Sequence, residues 1–187
     1  MEKAFFDDNG ILCFGTYHPR RGGSNPKFDA FSESILTLKD GPTVDGFGDA
    51  FVMFEQIARR GLSETCPDLW RSCAMAVVPS HDPDKKTSGI SKLAQSLTDE
   101  GRTDATTVLV RFKKVAKQAV GGTRDINHHI QSIQVDARAL PKDRMIVVID
   151  DVTTTGNSLL ACRKLLIRAG IRNVLLCSLA KTAKYGH

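Results

Sequence analysis

From residue 74 onward, apolar residues fall alternately into unbroken runs and spaced stripes. Ala74-Met75-Ala76-Val77-Val78, stopped by Pro79, and Met145-Ile146-Val147-Val148-Ile149 are runs without a polar interruption. Such runs predict strands covered on both faces, as in a parallel sheet. Thr106 to Val110 and Val174 to Ala180 predict two further strands. Between them, Ile90, Leu93, Ala94 and Leu97 share one helical face closed by Gly101, and Ile126, Ile130 and Ile133 predict a short helix. Leu159, Cys162, Leu165, Leu166 and Ala169 predict another helix over 157–169, ended by Gly170. Strands alternating with helices predict an α/β fold with an open, mainly parallel sheet flanked by helices. In that fold, ligands sit outside the carboxyl ends of the strands.

The pattern before residue 74 is less regular. Gly10 to Gly15 and Ser34 to Lys39 read as short strands, Pro19 to Pro26 as a loop, and Asp49 to Arg60 as a helix stopped by Gly61. The expected organisation is a small N-terminal cap or hood over 1–73 and a core over 74–187. Phe14, Tyr17, Phe28, Phe31, Phe47, Phe51, Phe54 and Trp70 give the first part aromatic surface for stacking a base, although filling its own core is the better account of them.

Composition narrows the function classes. The 187 residues are 41% hydrophobic and 25% charged, which suits one domain with a proper core. No run of eighteen uncharged apolar residues occurs, and the opening Met1-Glu2-Lys3-Ala4-Phe5-Phe6-Asp7-Asp8 carries acids where an export signal needs an apolar stretch, so neither membrane insertion nor export is expected. The five cysteines are scattered without a C-x-x-C pair, which argues against a disulfide framework or zinc knuckle and for the cytoplasm. Net charge is +5, but residues 1–75 hold 8 Lys+Arg against 11 Asp+Glu, so the positive excess lies in the later part. It suits a phosphate-bearing partner: nucleic acid, an anionic surface or a phosphorylated metabolite.

The chemistry concentrates in Ile146-Val147-Val148-Ile149-Asp150-Asp151-Val152-Thr153-Thr154-Thr155-Gly156-Asn157-Ser158. An apolar strand delivers two carboxylates to its carboxyl end, and a hydroxyl-rich loop with one glycine leads into a helix. Unpaired N–H groups at a helix start, joined by hydroxyls, form an anion cradle that glycine opens to close approach. Paired acids beside it suit sugar hydroxyls or a magnesium ion already holding phosphate oxygens. The segment lacks both the Gly-Lys-Ser/Thr of a P-loop and the Gly-x-Gly-x-x-Gly of a dinucleotide fold. Elsewhere, His128-His129 reads as a solvated helix face, His18 to Gly23 as a basic surface loop, Cys66 and Cys73 as spare thiols, and Lys85-Lys86 as either functional or solvated.

This segment resembles the phosphoribosyl-pyrophosphate signature of the type I phosphoribosyltransferases. Arg111-Phe112-Lys113-Lys114, Gln118 and Arg124-Asp125-Ile126-Asn127, with Val78-Pro79-Ser80-His81, are similar in spacing to ComF-type (competence protein) members, without the paired zinc-binding cysteines often found at their front. The resemblance implies a pentosyltransferase using phosphoribosyl pyrophosphate and magnesium. Asp150 and Asp151 would bind the ribose hydroxyls, directly or through the metal. Val152, Thr153, Thr154, Thr155, Gly156, Asn157 and Ser158 would hold the 5′-phosphate, and Ser80, His81, Arg111, Lys113 and Lys114 the pyrophosphate. It further implies a homodimer and an acceptor-reading hood drawn from residues 1–73. Its alternatives are a non-catalytic phosphoribosyl-binding module and a nucleic-acid-linked role in DNA uptake or a bacterial defence system.

Overall fold

The computed structural model describes residues 3–81, 88–99, 101–113, 125–141 and 143–184. Lys85, Lys86, Lys114, Gln118 and Arg124 lie outside the described residues. In chain order the elements are β1 (Phe5–Phe6), β2 (Leu12–Cys13), β3 (Thr16–Tyr17), α1 (Ala30–Asp40), α2 (Phe47–Thr65), α3 (Pro67–Trp70), β4 (Ala74–Val77), α4 (Gly89–Ser96), β5 (Thr103–Asp104), β6 (Leu109–Arg111), α5 (Ile126–Ile130), β7 (Ile133–Val135), β8 (Ile146–Thr153), α6 (Asn157–Arg168) and β9 (Val174–Thr182).

The main sheet runs β1-β2-β9-β8-β4-β5, with β3 also on β9. All its pairings are parallel except β1 with β2. Because neighbouring residues of a strand face opposite ways, Val147 and Ile149 of β8 enter one apolar core with Ile35, Leu38, Phe54 and Leu93 of α1, α2 and α4. Ile146 and Val148 enter a second core with Leu159, Cys162 and Leu166 of α6 and Leu109 and Ile133 of the β6–β7 pair. The fold is therefore the expected open, mainly parallel sheet covered on both faces. The N-terminal strands cap its β9 edge. Phe14, Phe54 and Trp70 are buried, and Tyr17, Phe31, Phe47 and Phe51 pack on the same core. Among the described residues no helix is long and apolar enough to cross a membrane.

Four local expectations are corrected. Ser34 to Lys39 is helical, as part of α1: Asp29 caps it by accepting from the Ser32 N–H at 2.8 Å, and Ser32, Ile35 and Leu38, three apart, are its buried positions. The helix read over Asp49 to Arg60 continues through Gly61 to Thr65, because Gly61 is where the Phe14 ring lies against α2; a Cβ there would sit 2.6 Å from it. Thr106 to Val110 is not one strand. Asp104 accepts from both the Thr106 N–H (2.8 Å) and the Thr106 hydroxyl (2.7 Å), and this Asx turn separates β5, in the main sheet, from β6, which pairs antiparallel with β7. Ile133 consequently opens β7 rather than extending α5.

One packing contact places α1 relative to the sheet. Gly89, at the start of α4, lies so close to α1 that a Cβ would fall 1.9 Å from the Leu38 carbonyl oxygen. Gly89→Ala is expected to destabilise the protein by about 2–3 kcal/mol through this overpacking, measured by urea denaturation. Gly48→Ala, whose Cβ would meet nothing within 4 Å on helix α2, is expected to be neutral or stabilising by up to ~1 kcal/mol. Equal midpoints for the two variants would contradict the packing account.

Candidate functional site

Strand β8 outruns its neighbour. Pairing with β4 ends at Val77 opposite Ile149, and the Val78 N–H makes one last bond to the Ile149 carbonyl at 3.1 Å before Pro79 turns the chain away. β8 continues to Thr153 beside β9 alone. From β4 the chain passes outward to β5, and from β8 it passes the other way to β9. The gap between β4 and β8 is thus the point where the winding reverses, the usual ligand crevice of such sheets. Asp150 and Asp151 are the first β8 residues beyond β4.

Alternation sends the two acids to opposite faces. Asp151, in phase with Val147 and Ile149, meets α1: the Lys39 Nζ lies 3.1 Å from Asp151 Oδ2. Asp150, in phase with Ile146 and Val148, meets α6: the Ser158 hydroxyl donates to its Oδ2 at 3.3 Å. Backbone N–H groups fix both carboxylates, Asp151 N–H donating to Asp150 Oδ1 (2.9 Å) and Val152 N–H to Asp151 Oδ1 (2.6 Å). Burial, reinforced by the adjacent Asp151 charge, raises the Asp150 carboxyl well above the usual carboxylate range, and Lys39 and Ser158 only partly offset it.

The loop after the acids is built as a cradle. Gly156 is the N-cap of α6 with φ +81°, a conformation glycine adopts without strain, and it has no side chain to satisfy the helix's first N–H groups. A Cβ at this position would also lie 2.6 Å from Ile11 Cδ1. The N-terminal hairpin braces the loop from behind: the Asn9 side-chain amide donates to the Thr155 carbonyl at 3.1 Å. Thr154 and Thr182 share a hydroxyl contact of 2.8 Å. Val152 to Ser158 and His129 border a cavity of about 180 Å³. Two buried polar side-chain atoms lack a hydrogen-bond partner among the described residues, Thr153 Oγ1 and His129 Nδ1. Both residues border this cavity, so their unmet bonding sits where a polar ligand would arrive.

A second cavity of about 260 Å³ adjoins it, sharing Val152, Ser158 and His129 with the first and reaching Asp150, Asp151, Lys39, Ser80, His81 and Arg111. Arg111 is only 6% exposed and braces the loop after β4. Its Nε donates to the Ser80 carbonyl (2.5 Å), its Nη2 to the Pro79 carbonyl (3.3 Å) and its Nη1 to the Ser132 hydroxyl (2.7 Å). Lys113 is exposed and borders neither cavity. Of the residues expected at the site, then, Asp150, Asp151, Val152 to Ser158, Ser80, His81 and Arg111 come together.

Sequence reasoning missed three neighbours. His129 is half-buried at the junction of the cavities rather than on a solvated face; the signal was its spacing of three from Ile126, which shares the inner side of α5. Burial, then the nearby Arg111 charge, lowers its pKa and favours the neutral ring. Lys39 and Asn9 reach the site only through tertiary packing. Asp150 and Asp151 offer acceptors for hydroxyl groups, while Lys39, Arg111 and the start of α6 offer positive charge or N–H donors to an anion.

Residues 90–186 match the family described as the phosphoribosyl transferase domain, a span that includes the acids, the threonine loop and α6. No curated protein matches the chain. Several solved structures are similar. An adenine phosphoribosyltransferase is 16% identical at a TM-score of 0.47, covering 73% of this chain and 72% of its own. An adenine phosphoribosyltransferase from Saccharomyces cerevisiae is 14% identical at 0.45, covering 80% and 89%. An orotate phosphoribosyltransferase from Aeropyrum pernix is 17% identical at 0.40, covering 97% and 86%. Since more than half of its length matches, the chain belongs to the phosphoribosyl transferase domain family.

Proposed function

We propose that this chain is a magnesium-dependent phosphoribosyltransferase that binds phosphoribosyl pyrophosphate and transfers its phosphoribosyl group to a nitrogenous base. The observation that carries this reading is the continuity of the two cavities: an anion cradle at a helix start opens, past His129 and Ser158, onto a pair of carboxylates and then onto the loop held by Arg111. A ligand with a phosphate at one end, sugar hydroxyls in the middle and a second phosphate group at the other fits that order. The finer assignment is the ComF-type likeness, which rests on the sequence spacing of Arg111-Phe112-Lys113-Lys114, Gln118 and Arg124-Asp125-Ile126-Asn127.

The roles follow from position. The N–H groups and hydroxyls of Thr153 to Ser158 hold the 5′-phosphate, and Asp150 and Asp151 accept from the ribose hydroxyls. Ser80, His81 and the Arg111 charge face the pyrophosphate; Lys113, which borders neither cavity, and Lys114, outside the described residues, keep that role only from the resemblance. The donor set suits magnesium: Asp150 and Asp151 offer hard carboxylate oxygens side by side, and a cation there would offset the burial that, with the Asp151 charge, raises the Asp150 carboxyl. When bound, the ion neutralises charge on the departing pyrophosphate. The C1–O bond breaks with its electron pair going to the departing pyrophosphate, a C1–N bond to the base forms, and the proton released from the base's nitrogen passes to pyrophosphate or solvent. Asp150 and Asp151 stabilise the positive charge that grows on the ribose ring meanwhile. Residues 1–73 supply the acceptor side through the end of α1, where Leu38 and Lys39 border the larger cavity.

Pyrophosphate release from phosphoribosyl pyrophosphate, assayed with a panel of bases, is expected to fall at least ~100-fold in an Asp150→Asn/Asp151→Asn double variant. Binding of phosphoribosyl pyrophosphate without turnover by the unaltered protein would favour the binding-module alternative. His129→Ala is expected to raise KM for phosphoribosyl pyrophosphate by roughly 10-fold with little change in kcat, as for a group that grips ground and transition states alike; a loss confined to kcat would contradict this role. The raised Asp150 carboxyl also makes stability pH-dependent. The folded group keeps its proton to higher pH than the unfolded one, so the ligand-free protein binds more protons when folded and loses stability as pH rises above the ordinary carboxylate range. Thermal melts from about pH 5 to about pH 8 should show Tm falling in the unaltered protein relative to Asp150→Asn. Parallel curves would refute the assignment of that charge cost to Asp150.

A further inference from the structure

The contact between Lys39 and Asp151 joins the N-terminal helix α1 to the acid pair across the larger cavity. It is held in place from both sides. Lys39 is in the last turn of α1, and the close approach of Gly89 to the Leu38 carbonyl fixes that turn against α4. Asp151 is fixed by the Val152 N–H on Oδ1, which leaves Oδ2 turned to the ammonium at 3.1 Å. The Asp151 side chain is 15% exposed and that of Lys39 55%, so the pair sits at the cavity's rim with the lysine on the solvent side. Lys39 also acts electrostatically on Asp150 and Tyr17. Lys39, the cation paired with Asp151, thus comes from outside the segment that carries the acids.

We infer that Lys39 is a built-in competitor for the acid pair: in the ligand-free protein it takes the carboxylate oxygen that a divalent cation or a ribose hydroxyl must later use, and it is displaced when either arrives. Two cations cannot both approach Asp151 Oδ2 without repelling each other, so entry of a metal requires the ammonium to swing out on its four-carbon stem, while a sugar hydroxyl competes with it for the same oxygen. Displacement frees a positive charge at the end of α1, beside the cavity, at the moment the phosphoribosyl ligand is seated. The acid pair would then accept its ligand first, and the N-terminal segment would present its charge to the second substrate afterwards. Lys39 is therefore a positioning and ordering residue, distinct from the groups that grip the ligand. This inference rests on the acid pair being the cation- and hydroxyl-binding group proposed above.

The test uses the full chain without phosphoribosyl pyrophosphate and Mn²⁺ alone as the probe, with free Mn²⁺ counted by electron paramagnetic resonance. Lys39→Met is expected to bind Mn²⁺ roughly 5-fold more tightly than the unaltered protein, and Lys39→Arg about as the unaltered protein does. Adding Asp151→Asn to Lys39→Met should abolish the gain. Weaker or unchanged Mn²⁺ affinity in Lys39→Met, including no binding by either protein, overturns the inference. So does a gain that survives Asp151→Asn, since the effect would then bypass the pair. Far-ultraviolet circular dichroism of each variant separates these outcomes from misfolding, and Lys39→Arg preserves the test if Lys39→Met is unfolded: its affinity must then match the unaltered protein, and tighter binding overturns the inference. A separate titration with phosphoribosyl pyrophosphate distinguishes the two claims, because failure of that ligand to bind removes the phosphoribosyl reading while leaving the Mn²⁺ competition intact.

Discussion

Everything at this site follows from unequal strand lengths in a parallel sheet. β4 stops pairing opposite Ile149 while β8 goes on to Thr153, so four residues of a central strand run with one neighbour instead of two. A fully paired strand would have offered Asp150 and Asp151 a wall of side chains. Here they border an opening. The same two-residue period that buries Val147 and Val148 in different cores then assigns one acid to α1 and the other to α6. Two chemically identical side chains, adjacent in sequence, thus acquire different partners, Lys39 for Asp151 and Ser158 for Asp150.

Completion of the site falls to the first part of the chain. Asn9 props the threonine loop, Ile11 fills the space that a Cβ at Gly156 would claim, and α1 brings Lys39 to Asp151. Asp7, almost fully buried, accepts from the Asn9 and Ile11 N–H groups and pairs with Lys181 of β9, which fastens the hairpin to the sheet beside the loop it supports. The N-terminal cap therefore serves the anion cradle as well as the sheet edge.

What could be read from sequence was what is contiguous in sequence. β4, β8, α6 and β9 declare themselves by unbroken apolar runs or a helical stripe, and residues 146–158 contain the whole strand, acid pair, loop and helix start. Local pattern failed where a tertiary neighbour or a side-chain bond decided the outcome. Ser34 to Lys39 alternates well enough to mimic a strand, but Asp29 caps a helix there. Asp104 ends β5 through its own carboxylate, a bond no hydropathy pattern registers. Gly61 looks like a helix stop and is a notch for Phe14. His128-His129 reads as one solvated face, but adjacent side chains on a helix diverge, and that divergence leaves His128 exposed and turns His129 inward. Arg111 is expected only as a pyrophosphate contact, and no sequence pattern shows the three acceptors that pin its guanidinium against the segment after β4.

The pairing of β2 and β3 with β9 bears on how the molecule acquires its structure. Leu12 lies beside Cys177 and Tyr17 beside Thr182, and the amide of Asn9 reaches a carbonyl 146 positions away. Such distant partners must pass through a large loop-closure entropy before any contact rewards them, which slows folding. During synthesis residues 9–17 must wait for residues 155–182, so the threonine loop that they brace becomes rigid only after both stretches have emerged.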